Sequence, residues 1–172
     1  GRAFILSTSI KSMNEITSLL KDEFNKNNIS YPILTQGNGS KTKLLEQFKS
    51  HGNAVLICSL SFWEGVDVRG SNLSLVIIDK LPFQSPGDPI FESKINMLAA
   101  KGINAFLTFQ LPKAIISLKQ GAGRLIRDEM DKGVLMICDQ RIVSKPYGKK
   151  FWRSLPDFKR TREQDDVIDF LK

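Results

Sequence analysis

The chain has 172 residues, with 25 Lys or Arg against 18 Asp or Glu and a formal net charge of +7. That length fits one domain with its own core and argues against a second complete one, and the positive balance favours phosphate-bearing partners without choosing among nucleic acid, nucleotide and membrane surface. No apolar stretch approaches the roughly 18 residues of a membrane span and no signal peptide opens the chain, so a soluble, intracellular, cytoplasmic domain is expected.

The sequence starts at Gly1 and enters an apolar run by its third residue, which suggests a piece of something longer. Residues 3–8 (AFILST) read as a first strand, and Met13, Ile16, Leu20 and Phe24 then recur at the three- and four-residue spacing of a helix. A second short strand is expected over 31–34. The GNGSKT run at 37–42 looks like a phosphate loop, but Ser40 separates Gly39 from Lys41 and the earlier glycine is missing, so phosphate binding there is rejected. Leu44, Leu45 and Phe48 mark a brief helix before His51, which reads as a surface histidine in the KSHGN turn.

Residues 54–59 (AVLICS) form a third apolar run, and the SFWEGVDVRG stretch that follows lies off the carboxyl end of that strand, where open α/β sheets place their ligands. As a plain connection it would pack Phe62 and Trp63 and solvate Glu64 and Asp67. As a functional loop it would aim acids at ribose hydroxyls and aromatics or hydroxyls at nucleic acid. A fourth strand is expected over 73–79. In 87–102, Asp88 can cap a helix, Pro89 suits its first position and Gly102 can close it. A fifth apolar run covers 133–139, the chain then turns basic and aromatic over 145–162, and a short helix ends it. Cys58 and Cys138 lie inside apolar runs with no CxxC spacing and read as small buried hydrophobes, and no metal site is visible. Several strands are apolar throughout, as in a parallel sheet buried on both faces, and the alternation βαβαβ followed by β, α, α, β gives an open, mostly parallel α/β sheet flanked by helices.

The SLKQGAGRLIRDE stretch, 117–129, is the densest in chemistry. At about 100° per residue, Gln120, Arg124 and Arg127 share an arc of about 60° on a helical wheel, opposite Ile115, Leu118, Ala122, Leu125 and Ile126. A solvated charged face accounts for such a helix. Yet Gly121 and Gly123 each cost on the order of 1 kcal/mol inside a helix, which points to a need for close backbone approach beside an arginine pair. The GAG triplet is not a dinucleotide fingerprint, because it sits in a helical pattern and no third glycine follows.

Taken in order, SFWEGVDVRG, IIDKLPFQSPGDP and QGAGRLIR resemble helicase motifs V and VI, and nearly the whole chain resembles the C-terminal RecA-like domain, motifs IV to VI, of the DinG/YoaA branch of the XPD-like superfamily 2 DNA helicases. The resemblance implies that residues 1–172 are the second RecA-like domain of a longer ATP-dependent helicase, an open RecA-like sheet without a phosphate loop. It implies an ATP site shared with an N-terminal RecA-like domain that binds most of the ATP and Mg²⁺. Arg124 and Arg127 would be arginine fingers, with Gln120 orienting the site; Glu64, Gly65, Asp67 and Gly123 would line the nucleotide side. Ser7, Thr8, Ser9, Ser59, Ser61, Phe62 and Trp63 would face single-stranded DNA. Relatives often carry an iron–sulfur cluster in an insertion of the first domain, outside these residues. The resemblance further implies 5′ to 3′ unwinding, DNA repair, a nucleoid location and no membrane partner. One rival is a non-catalytic nucleic-acid-binding module resting on the net charge and the basic segment 145–162, and another is a self-sufficient nucleotide-binding enzyme using the GNGSKT run.

Overall fold

A computed structural model of the chain describes residues 1–59, 62, 73–84, 87–123, 125–126 and 132–172. Its elements are β1 (Ala3–Ser7), α1 (Ile10–Lys26), β2 (Ile33–Thr35), α2 (Lys41–His51), β3 (Val55–Ser59), β4 (Leu75–Ile78) and α3 (Pro89–Ala100). A π-helical turn (Phe106–Gln110) then runs into α4 (Leu111–Ala122), followed by β5 (Val134–Ile137), α5 (Arg141–Ser144), α6 (Gly148–Ser154) and α7 (Gln164–Leu171). The strands form one sheet in the order β2-β3-β1-β4-β5, and each neighbouring pair is parallel. This is the open α/β sheet that the apolar runs imply.

The helix ends follow local chemistry. Ser9 accepts from the Ser12 amide at the start of α1, Ser40 accepts from the Lys43 amide at the start of α2, and Asp88 accepts from the Ile90 and Phe91 amides at the start of α3, with Pro89 behind it. The GNGSKT run therefore supplies a helix cap, with Gly37 and Gly39 at positive φ leading into it. His51 is the last residue of α2 and not a turn residue; the turn begins one position later, at Gly52, whose φ of 66° is the left-handed conformation that ends a helix.

Strand alternation divides the core into two layers. Phe4, Leu6, Leu56, Cys58, Val76 and Ile78 point into the larger one, with Leu44 and Phe48 of α2, Leu111, Ala114 and Leu118 of α4, and Phe151 of α6. Phe4 and Phe48 meet there with ring centroids 4.5 Å apart. Ala3, Ile5, Val55 and Ile57 point the other way, onto Met13, Ile16, Leu20 and Phe24 of α1, and those are the four positions whose spacing predicts the helix. Burying each of the larger side chains contributes about 1.5–3 kcal/mol.

The expectation that Cys138 is buried fails, while Cys58 is buried as expected. β5 is the last strand of the sheet, and α1 packs over β1, β2 and β3, not over β5. Alternation puts Met136 and Cys138 on that α1-side face, so Met136 is 51% exposed and Cys138 is open as well. An apolar run on an edge strand looks the same in sequence as one buried on both faces.

Two features of the topology position everything that follows. α1 leaves β1 on one face of the sheet, whereas α4, downstream of β4, lies on the other, so the β1/β4 boundary is a switch point, at whose carboxyl end open α/β sheets place their ligands. α4 begins beside that carboxyl end, where Phe83 stacks on Phe106 at 5.7 Å. It finishes towards the amino end of β5, where Leu125 lies against Gly133 so closely that a Cβ there would overlap it.

Candidate functional site

At the carboxyl end of the sheet, register sets Ser7 of β1 directly beside Ser59 of β3. Ser7 is fully buried and its hydroxyl donates to the Ser9 carbonyl at 3.0 Å. Ser9 caps α1, Thr8 between them is half-buried, and Ser12 in the first turn of α1 donates to Asp79 at 2.7 Å, bridging the switch point from β1 to β4. The Ser59 amide and hydroxyl both donate to Gln36 Oε1 at 2.8 Å, and the same hydroxyl accepts from the Phe62 amide at 3.4 Å. Phe62 is only 8% exposed and belongs to the core, with the Lys41 ammonium 5.3 Å from its ring centroid. Its ring packs, and it is not turned out as a surface for bases to stack on. Burial pushes the neighbouring Cys58 thiol up to about 12, with the Lys41 charge acting in the opposite direction, so Cys58 serves as a core side chain and not as a nucleophile.

One polar centre here was not singled out from the sequence. Asp139, just past β5, is buried and accepts from the Leu81 amide at 2.8 Å, the Arg141 amide at 2.9 Å and the Arg141 guanidinium at 2.6 to 3.0 Å. Burial by itself would raise its pKa, but the Arg141 side chain and the two backbone amides outweigh it and hold the carboxyl at about 2. The Arg141 guanidinium also lies 5.3 Å from the Phe83 ring centroid. Further along the same loop, Gln84 accepts from Lys113 of α4 at 2.6 Å and donates to Asp88, the α3 cap, at 2.6 Å. The Leu81–Gln84 loop is thereby tied to β5, α3 and α4 at once. The sequence signal was available: an acid directly after an apolar strand with an arginine two positions on, CDQR.

The remaining described candidates are elsewhere. Gln120 and Gly123 are both exposed, at the last turn and the cap of α4, near the amino end of β5. Strands of four or five residues rise about 3.3 Å per residue, so the structure separates these two from the serine-lined edge by the height of the sheet and does not bring them into one pocket. The helical wheel also stops short of its expected length: α4 ends at Ala122, Gly123 caps it, and Leu125 donates to the Ala122 carbonyl at 3.0 Å in a turn. Up to that point the wheel holds, with Leu118 and Ala122 buried. Ser61, Trp63, Glu64, Gly65, Asp67, Arg124 and Arg127 lie outside the described residues.

Comparison with known proteins adds a family to this geometry. The family model described as helicase C-terminal domain matches residues 1–158. The chain is 51% identical over 171 residues to the ATP-dependent DNA helicase YoaA of Escherichia coli (strain K12), covering 99% of this chain and 26% of that protein. It is 36% identical over 172 residues to the ATP-dependent helicase DinG of Mycobacterium tuberculosis (strain ATCC 25618 / H37Rv), covering 100% of this chain and 25% of that one. It thus spans roughly a quarter of the length of these curated relatives. Among solved structures, one titled XPD_APO superposes with a TM-score of 0.67 at 25% identity, covering 92% of this chain and 32% of the other, which fits an α/β sheet of the RecA-like type.

Proposed function

The chain belongs to the helicase C-terminal domain family, and from that premise we propose that it is the second RecA-like motor domain of an ATP-dependent DNA helicase of the DinG/YoaA type. The observation that carries this reading is the QGAGRLIR string at 120–127, which begins at the exposed end of α4 on a sheet whose opposite, carboxyl end gathers the serines of motifs IV and V. Two separated ends suit a motor that must hold nucleotide at one and nucleic acid at the other.

In this reading ATP and Mg²⁺ sit in a cleft between this domain and an N-terminal RecA-like domain of the same polypeptide. Mg²⁺ is held mainly by that first domain; among the described residues of this one there is no cluster of carboxylates, histidines or cysteines of metal-binding size. Arg124 and Arg127 reach the γ-phosphate when the cleft closes, and their planar guanidinium groups spread over the transferring phosphoryl oxygens. Gln120 orients the arginines, and Glu64, Gly65, Asp67 and Gly123 line the nucleotide, Asp67 at the ribose. Ser7, Thr8, Ser9, Ser59, Ser61 and Trp63 border the single-stranded DNA. Ser7 and Ser59 act there by fixing backbone through the hydrogen bonds described above. Cleft closure on ATP and reopening after hydrolysis is a hinge motion gated by ligand, and it drives movement 5′ to 3′ during DNA repair at the nucleoid. Described helices long and apolar enough to cross a membrane are absent, and no membrane partner is assigned.

The test is DNA-stimulated ATP hydrolysis by the full-length polypeptide carrying Arg127→Lys, with ATP affinity measured in parallel. A fall of about two orders of magnitude or more with ATP still bound is the expected result. Unchanged turnover would overturn the assignment of the arginine pair.

A further inference from the structure

The excess positive charge of this chain is the charge of one segment. Residues 145–162 hold seven of the 25 Lys and Arg and one of the 18 Asp and Glu, which leaves 18 against 17 everywhere else. A surplus serving solubility alone would be spread over the surface and interspersed with acids. Here it is gathered on and around a helix, α6, that the fold anchors firmly.

The anchoring is specific. Phe151 of α6 is fully buried, Gly148 approaches the Ile142 carbonyl so closely that a Cβ would overlap it, and the Trp152 indole N–H donates to that same carbonyl at 3.1 Å. With Phe151 turned inward, Lys149, Lys150 and Arg153 fall within about 100° of one another on the outer face at helical spacing, and all three are exposed. The chain leaving α6 folds back beside it, setting the Arg160 guanidinium 5.1 Å from the Trp152 ring centroid, at the margin of the same face. Among the described residues the ion pairs are Lys11–Glu15, Lys26–Glu23, Arg141–Asp139 and Lys172–Asp169, and none draws on residues 145–162.

We propose that this outer face of α6, with Arg160 beside it, is a second phosphodiester-binding surface that holds nucleic acid outside the motor track at the serine edge. The proposal rests on the DNA-motor reading for the identity of its ligand. The chemistry of the face favours a phosphate backbone over a protein partner: the described residues of 145–162 include no exposed large hydrophobic side chain, so the face lacks the apolar centre on which protein interfaces depend. Lysines and arginines without such a centre bind by releasing counterions, independently of base sequence. The backbone could belong to the tracked single strand beyond the motor or to the duplex ahead of it, and the two are separable by experiment.

The experiment compares the full-length polypeptide with a Lys149→Gln, Lys150→Gln, Arg153→Gln variant, measuring affinity for a single-stranded oligonucleotide and for a forked duplex across a NaCl series. The expected result is a slope of log affinity against log salt that is shallower by roughly 2–3, the loss of three phosphate contacts at about 0.7–0.9 each. Turnover at saturating DNA should stay within about twofold of wild type. A shallower slope on both ligands assigns the surface to the single strand, and one confined to the fork assigns it to duplex; both support the proposal. A control neutralising Lys21, Lys94 and Lys101, exposed cations of the near-neutral remainder, should leave the slope nearly unchanged. Unchanged slopes in the α6 variant, with its melting midpoint intact, would overturn the proposal and leave the face to an acidic protein partner. Loss of turnover at saturating DNA would overturn it differently, by placing these cations inside the motor. Failure of the motor reading itself would be visible separately, as wild-type protein that binds DNA without DNA-stimulated hydrolysis.

Discussion

At the carboxyl end of the sheet Ser7 and Asp139 are buried with their polar atoms committed to neighbours within the chain, as are those of Ser59, whereas Gln120 and Gly123 at the far end of α4 are exposed. The two ends therefore answer to different measurements. A polar group buried and satisfied by its own fold is lost at the expense of folding. An exposed group at the end of a well-packed helix is lost at the expense of whatever lies beyond the domain. Substitutions at the first end should lower stability, and substitutions of Gln120, Arg124 or Arg127 should lower turnover while leaving the melting midpoint in place.

The sharpest test of that division is Arg127→Lys, in which turnover should fall by about two orders of magnitude or more while the thermal midpoint moves by no more than about 1 °C. A large thermal shift instead would show that this arginine is part of the scaffold. Next in size is Asp139→Asn, which removes a charge-assisted hydrogen-bond centre and should cost about 2 kcal/mol, or about 4–8 °C in a chain of this length. That difference has a pH signature. The folded carboxyl is held at about 2, below its ordinary value of 3.8, so its stabilisation is fully present above the higher value and is lost as pH falls from there through the lower one. Urea midpoints of wild type and Asp139→Asn should lie well apart at neutral pH and converge across that acid window.

Smaller still is Ser9→Ala, which removes the α1 cap and should cost about 1 kcal/mol, read in the same denaturation assay with ATP affinity unchanged. The finest contrast is between the two thiols. Cys138, exposed on the edge strand, should react with an alkylating reagent in the native protein, whereas Cys58 should react only as the chain unfolds. Equal reaction rates would show that the β3 core opens as readily as the β5 edge.

Most of the scaffold was legible because its signals are local. Met13, Ile16, Leu20 and Phe24 announce both a helix and its buried face, and Asp88-Pro89 announces a helix start. What was not legible depends on neighbours far away in sequence. Whether the 133–139 run is covered on both faces depends on where α1 lies, which is why Cys138 was misjudged. Gln36 cannot be recognised as the acceptor for Ser59 without knowing that β2 and β3 are adjacent. The end of α4 at Ala122 is a third case: the apolar spacing continues through Leu125 and Ile126, but the chain must turn at Gly123 to reach the start of β5. Among the carboxyl-edge serines, polarity alone cannot reveal that Ser7 is fully buried.

The position of β1 also bears on how the domain is made. It is the central strand, bonded to β3 through Ala3↔Val55 and to β4 through Ala3↔Leu75, yet it leaves the ribosome before either. At synthesis rates of about 5–20 residues per second, its first partner follows about 3–10 s later, and until then the apolar AFILS strand has both of its hydrogen-bonding edges open. The central strand of the finished sheet is thus the one left longest without a partner during translation, and the interval before β3 emerges is when a chaperone would matter most to this domain.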